Sequence, residues 1–112
     1  LIAVCLSLTV PADAAMTGTG NELLETCKNE SSMFSSGACL GFVQGVTEGL
    51  LLQAGTFKQK PLVCLPEGVT FGQMRDVVVK YLSEHPELRH YTGAQLTVLA
   101  LANAWKCDFS AP

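Results

Sequence analysis

Apolar side chains recur along this chain in a helical rhythm and not in the alternation of a half-buried strand. A short first helix is predicted over 21–28, with Leu23 and Leu24 on its apolar side and Asn21 as its N-cap. A polar loop, NESSMFSSG, follows over 29–37. The second helix is expected over 38–53, where Phe42, Val43, Val46, Leu50 and Leu51 fall at helical spacing. A loop over 54–68 carries glycine, two lysines and two prolines. Thr70 with Gln73 three positions on has the form of a capping box and opens a third helix. Phe71, Met74, Val78, Tyr81 and Leu82 make its stripe, and it should stop at His85, because Pro86 disfavours helical geometry in the residue before it. Thr92 with Gln95 repeats the device for a fourth helix. From 96 to 105 that helix is apolar nearly all round, which predicts the central and most buried helix. The expected fold is all-α, a small four-helix domain.

Helix two holds Gly41, Gly45 and Gly49, four apart on one stripe. Each glycine costs about 0.5–1 kcal/mol against alanine inside a helix. Close approach of another backbone, within the chain or across a dimer, is the expected compensation. A membrane-dimer reading of the stripe fails, since Gln44 and Glu48 interrupt an apolar run that is also too short to span.

The start of the chain adds a location. Residues 1–10 form an apolar run too short to cross a bilayer, followed by Pro11-Ala12-Asp13-Ala14-Ala15. An apolar stretch before Ala-x-Ala has the form of a secretory signal and its cleavage site. Residues 1–14 are expected to be a signal peptide cleaved after Ala14, leaving 15–112 as a single exported helical domain. Four cysteines then remain, Cys27, Cys39, Cys64 and Cys107, which in a small exported chain read as two disulfides. No CxxC or CxH pair is present to suggest zinc. Consecutive helices with short links pack antiparallel. That favours Cys27 with Cys39 and Cys64 with Cys107, although three pairings are formally possible.

Charge narrows the function. The 112 residues carry a formal net charge of -3, and no basic run exceeds the separated pair Lys58 and Lys60. A nucleic-acid role lacks its electrostatic footprint. The richest cluster of chemical groups is YLSEHPELRH, which contains both histidines of the chain. His85 and His90 are five apart with Pro86 between them, whereas zincin-type pairs sit four apart on one helix. Glu87 could act as a base, but no nucleophile motif accompanies it. The cluster reads as a helix end and surface turn, so neither catalysis, metal nor cofactor is expected.

The same stretch, taken with its neighbours, resembles a known family. GNELLETCK, then CLGFVQGVTEG, then CLPEGVT, YLSEHPE and an alanine-rich helix closing on cysteine follow in the order and spacing of the amidase-immunity proteins of type VI secretion, the Rap/Tai type. The resemblance covers about 20–107. The family often has aromatic-Pro-Cys where this chain has Trp105-Lys106-Cys107, which bears on how the last helix exits.

What the resemblance implies is a small disulfide-bonded periplasmic protein, often a homodimer. It would bind a peptidoglycan amidase effector and occlude the catalytic cleft without doing chemistry itself. Exposed loops on a rigid scaffold suit that task. The two loops that qualify are 54–63 and 85–91, with Phe57, Lys58, Lys60, His85, Glu87, Arg89 and His90 as expected partner contacts. A different reading is a periplasmic chaperone-like or orphan interaction domain with no amidase partner. A third is an enzyme using His85, Glu87 or His90.

Overall fold

The computed structural model describes residues 18–109. The expected signal segment 1–14 lies outside them. Four helices follow in order: α1 (Gly20–Lys28), α2 (Met33–Thr56), α3 (Phe71–Glu84) and α4 (Gly93–Ala104), with a 3-10 turn, Pro86–Leu88, between the last two. The all-α expectation holds over the described residues.

Local chemistry explains the helix starts. The Thr19 side chain accepts from the Glu22 N–H, while the Glu22 carboxylate accepts from the Thr19 N–H. Thr70 and Gln73 form the same reciprocal pair at α3. At α4 the Thr92 hydroxyl accepts from Gln95 N–H at 3.2 Å. These caps satisfy N–H groups that have no partner within the helix. The first of them corrects the expectation for α1: the cap is Thr19, and Asn21 is an exposed residue within the helix. Asparagine is a good cap in isolation, but the Thr19–Glu22 box satisfies two donors at once.

Helix α2 also differs from its expected span. Ser32 caps it, accepting from Ser35 N–H at 3.2 Å, so Met33 and Phe34 belong to its first turn and not to a loop. Its far end runs on to Thr56. The serines that read as loop in sequence are here a cap and a first turn, the place where their hydroxyls suit a helix best.

The core joins one stripe from each helix: Leu23, Leu24 and Cys27 of α1; Cys39 and Val43 of α2; Met74, Val78 and Leu82 of α3; Leu96, Ala100 and Leu101 of α4. Val63 enters from the loop before α3. Phe71, expected on the α3 stripe, lies at the exposed margin. Buried Thr47 and Thr97 donate their hydroxyls to the carbonyls of Val43 and Gly93, both at 2.7 Å, so neither is an unsatisfied polar group. Two disulfides, Cys27–Cys39 and Cys64–Cys107, staple the bundle in the pairing that antiparallel packing favours.

One expectation about packing fails and a second loses one of its two alternatives. Helix α4 contributes Gly93, Leu96, Thr97, Ala100 and Leu101 to the interior, yet Leu99 is 49% exposed. Apolar residues on every side do not enclose a helix that has neighbours on one side only. For the glycine stripe the alternative within the chain falls away: a Cβ added at Gly41, Gly45 or Gly49 would meet nothing within 4 Å, so among the described residues no backbone approaches there.

The close approaches occur at other glycines. A Cβ at Gly20 would collide with Leu96 and meet the Arg89 Cα at 3.2 Å, and one at Gly93 would meet Leu23 at 3.3 Å. These two glycines let the starts of α1 and α4 press together, joined by a bridge between Thr19 and Thr92.

Candidate functional site

Both loops expected to contact a partner are surface features, and they lie at opposite ends of α4. The first is the turn between α3 and α4. His85 closes α3, its N–H donating to Tyr81 O at 3.0 Å, and Pro86 then starts the 3-10 turn. Proline suits that position because its missing N–H would have had no helical partner. The turn is pinned from below. Asn21 N–H donates to Arg89 O at 3.1 Å, Gly20 N–H to Tyr91 O at 2.9 Å, and Gly93 N–H to Gly18 O at 2.9 Å. A loop held by this many backbone bonds keeps one shape when a partner arrives.

The side chains of the turn point to separate tasks. His85 Nδ1 lies 3.0 Å from a Glu87 carboxylate oxygen. That hydrogen bond is the main reason the Glu87 carboxyl is held below its usual range, with backbone hydrogen bonding and the charge of Arg89 acting the same way. The His85 ring also rests against Tyr81, with centroids 4.3 Å apart. His90 stacks on Tyr91 instead, at 4.2 Å. The two histidines thus turn to different neighbours and do not form a pair. Glu87 and His90 are exposed, whereas Arg89 is half-buried, with its Nε enclosed and without a hydrogen-bond partner. Among the described residues no cluster of three or more histidine, cysteine, aspartate or glutamate side chains could hold a metal. All four cysteines described are in disulfides, so none offers a thiolate nucleophile.

Beside this turn runs a groove of about 440 Å³, lined by Leu88, Tyr91, Gln95, Val98 and Leu99. Tyr91 is 50% exposed. Leu88 and Tyr91 lie within the expected loop 85–91 but were not named among its contacts, and Gln95, Val98 and Leu99 were not expected at all. The signal for it was present in the sequence: from 96 on α4 is apolar nearly all round and can bury only the side facing the bundle. Tyr91, Gln95, Val98 and Leu99 occupy the other side.

The second loop begins where α2 ends. Phe57 caps α2 with its N–H on Gln53 O at 2.9 Å and is itself largely exposed. Lys58 has φ 51°, a left-handed conformation uncommon outside glycine. Its side chain and that of Lys60 are exposed, and Lys60 Nζ stands 5.0 Å from the Phe109 ring centroid. The chain returns to the bundle at buried Val63, and Cys64 N–H then donates to Trp105 O at 3.1 Å. That bond and the Cys64–Cys107 disulfide hold the exit of α4, with Trp105-Lys106 in place of an aromatic-proline pair.

Helix α4 has 12 residues, so the two loops are separated by about 18 Å of helix. His85, Glu87, Arg89 and His90 come together at one end. Phe57, Lys58 and Lys60 come together at the other. The two sets do not merge into one patch.

A rigid scaffold, exposed turns and an apolar groove define a small disulfide-stapled helical module built to contact another protein. The family follows from the sequence comparison: the model of the Rap1a immunity proteins matches residues 19–107, which is almost every residue described here. The chain belongs to that family. Immunity proteins bind a cognate effector and are generally not enzymes. No curated protein and no solved structure matches the chain.

Proposed function

We propose that this chain is a periplasmic immunity protein that binds a peptidoglycan amidase effector of type VI secretion and occludes its catalytic cleft, acting as a homodimer without chemistry of its own. The observation that carries the choice of surface is the pinned turn at 85–91 beside the apolar groove of α4. The turn offers Glu87 and His90 as exposed polar groups on a backbone that is already ordered, so little conformational entropy is lost on binding. Tyr91 and Leu99 supply the apolar anchor that interface energetics centre on. The loop at 57–62, with Phe57, Lys58 and Lys60, lies too far along α4 to share that contact unless the effector spans both ends.

The test is capture from cells that carry type VI effectors, using residues 15–112 exported to the periplasm. Recovery of a single amidase in stoichiometric amount, with its peptidoglycan hydrolysis suppressed, supports the proposal. Leu99→Glu should then abolish capture while leaving the fold intact, and Lys60→Ala should not. Recovery of many unrelated unfolded proteins would favour the chaperone-like reading, for which the exposed Met33, Phe34 and Leu52 would be the natural contacts. Loss of capture in Lys60→Ala but not in Leu99→Glu would move the site to the other end of α4.

A further inference from the structure

The basic side chains of this fold are placed in two ways. Some are paired: Arg75 has Asp76 at 3.1 Å, Lys80 has Glu84 at 4.0 Å, and Lys60 stands over the Phe109 ring. Others, Lys28, Lys58 and Lys106, are exposed to water. Arg89 has neither arrangement. It is half-buried, its Nε is enclosed with no hydrogen-bond partner, and no carboxylate of the described residues forms an ion pair with it. Taking a charged donor out of water without a partner is unfavourable, so folds seldom keep one without a use for it.

The chain has acids nearby and commits them elsewhere. Glu87, two residues before Arg89, accepts from His85 Nδ1 at 3.0 Å. Glu22, at the start of α1 where the turn is pinned, accepts from Thr19 N–H at 3.0 Å. The backbone of Arg89 is fixed as well. Its carbonyl accepts from Asn21 N–H at 3.1 Å, and its Cα lies 3.2 Å from the place where Gly20 would carry a Cβ. The side chain therefore starts from a set point on the turn that gives Leu88 and Tyr91 to the α4 groove. Because Nε alone is the enclosed donor, the outer edge of the guanidinium, with its two Nη groups, is left for an incoming acceptor.

We propose that Arg89 receives a carboxylate of the effector, an aspartate or glutamate side chain standing beside the apolar residue that enters the groove. This rests on the reading of the turn and groove as the effector contact and names the chemistry of the partner there. The two Nη groups take both carboxylate oxygens in parallel, charge-assisted bonds, a geometry that lysine cannot supply. The guanidinium has lost part of its water already in the free protein, so less remains to be stripped on binding. The attraction is also less screened than at a fully exposed lysine. Arginine is among the residues that dominate interface energetics when a surrounding apolar contact excludes water. The same residue discriminates: an effector without that carboxylate would bury the charge with nothing to answer it, which penalises the wrong partner.

Calorimetric titration of residues 15–112 with the amidase recovered in the capture experiment tests this. Arg89→Gln should raise the Kd about 30-fold or more, the level that marks a dominant interface residue. Arg89→Lys should fall between the two, since a single ammonium cannot make both bonds. Each aspartate and glutamate of the amidase is then changed in turn to asparagine or glutamine. One of these changes should weaken binding by the same factor, and it should have little further effect against Arg89→Gln. Urea denaturation of free Arg89→Gln should show a midpoint unchanged or raised, because the substitution removes a half-buried charge that has no partner. Wild-type affinity in Arg89→Gln overturns the proposal. So does a loss of affinity that comes with a lowered urea midpoint, which would make Arg89 part of the scaffold, and so does a scan in which no single carboxylate couples to it. Should Arg89→Gln fail to fold, folded Arg89→Lys decides by the same titration: weakened binding supports the proposal and wild-type affinity overturns it. A wild-type chain that captures no amidase removes both this inference and the function it rests on. Capture that Leu99→Glu abolishes and Arg89→Gln leaves unchanged removes this inference alone.

Discussion

Glycines illustrate how much a single residue's meaning depends on its neighbours. Gly20 sits where the Arg89 backbone and Leu96 side chain crowd the start of α1, so Gly20→Ala should destabilise the fold by about 1–3 kcal/mol, the usual range for overpacking. Gly37, with nothing within 4 Å, should respond in the opposite sense. Gly37→Ala should stabilise α2 by about 0.5–1 kcal/mol through helix propensity alone. Urea denaturation of both variants checks the pair of signs. Thr19→Ala removes one side of a reciprocal cap and should cost about 1 kcal/mol in the same assay. Glu87 gives a pH prediction. Its carboxyl is held below the usual range first of all by the hydrogen bond with His85, so its contribution is fully present above the unfolded carboxylate value and is lost as pH falls through the lower folded value. His85→Ala should raise the Glu87 pKa towards its ordinary value, which a carbon-detected NMR titration of that carboxyl would show. An unchanged titration would remove His85 as the cause.

Elements were legible in outline. The Thr70–Gln73 pair marked the start of α3 and Pro86 its end, because each acts on the backbone within three or four residues and needs no tertiary partner. The ends of α2 were not legible. SSMFSS lacks an apolar rhythm, and the turn that Met33 and Phe34 occupy contributes little to the core. Helix α4 was found correctly as a helix and wrongly as an enclosed one. The disulfides fasten these elements unequally. On the chain-entropy account, closing sequence separations of 12 and 43 stabilises by about 3 and about 4 kcal/mol respectively. Replacing Cys64 and Cys107 together by alanine should therefore lower the melting temperature more than replacing Cys27 and Cys39, provided the buried positions of the second pair do not add a cavity penalty of their own. Serine in place of alanine at the partly exposed Cys64 and Cys107 should give the same order and isolates the loop-closure effect.

At the scale of the whole molecule, two apolar surfaces face away from the shared core: the α4 groove and the outer side of α2. The sequence by itself determined the all-α class, the four helices, the caps at Thr70 and Thr92 and the use of four cysteines in two disulfides. All of these rest on interactions between residues close in the chain, or on composition. Its motif order also pointed to the immunity family that the comparison identifies over 19–107. Only the tertiary structure decided which apolar residues are left outside, that the close-packed glycines are Gly20 and Gly93, and that the two expected contact loops lie at opposite ends of α4. The physical reason is that burial is a property of a helix's surroundings. Periodicity can show that a helix has an apolar side, but the number of sides its neighbours cover is set by how the four helices meet.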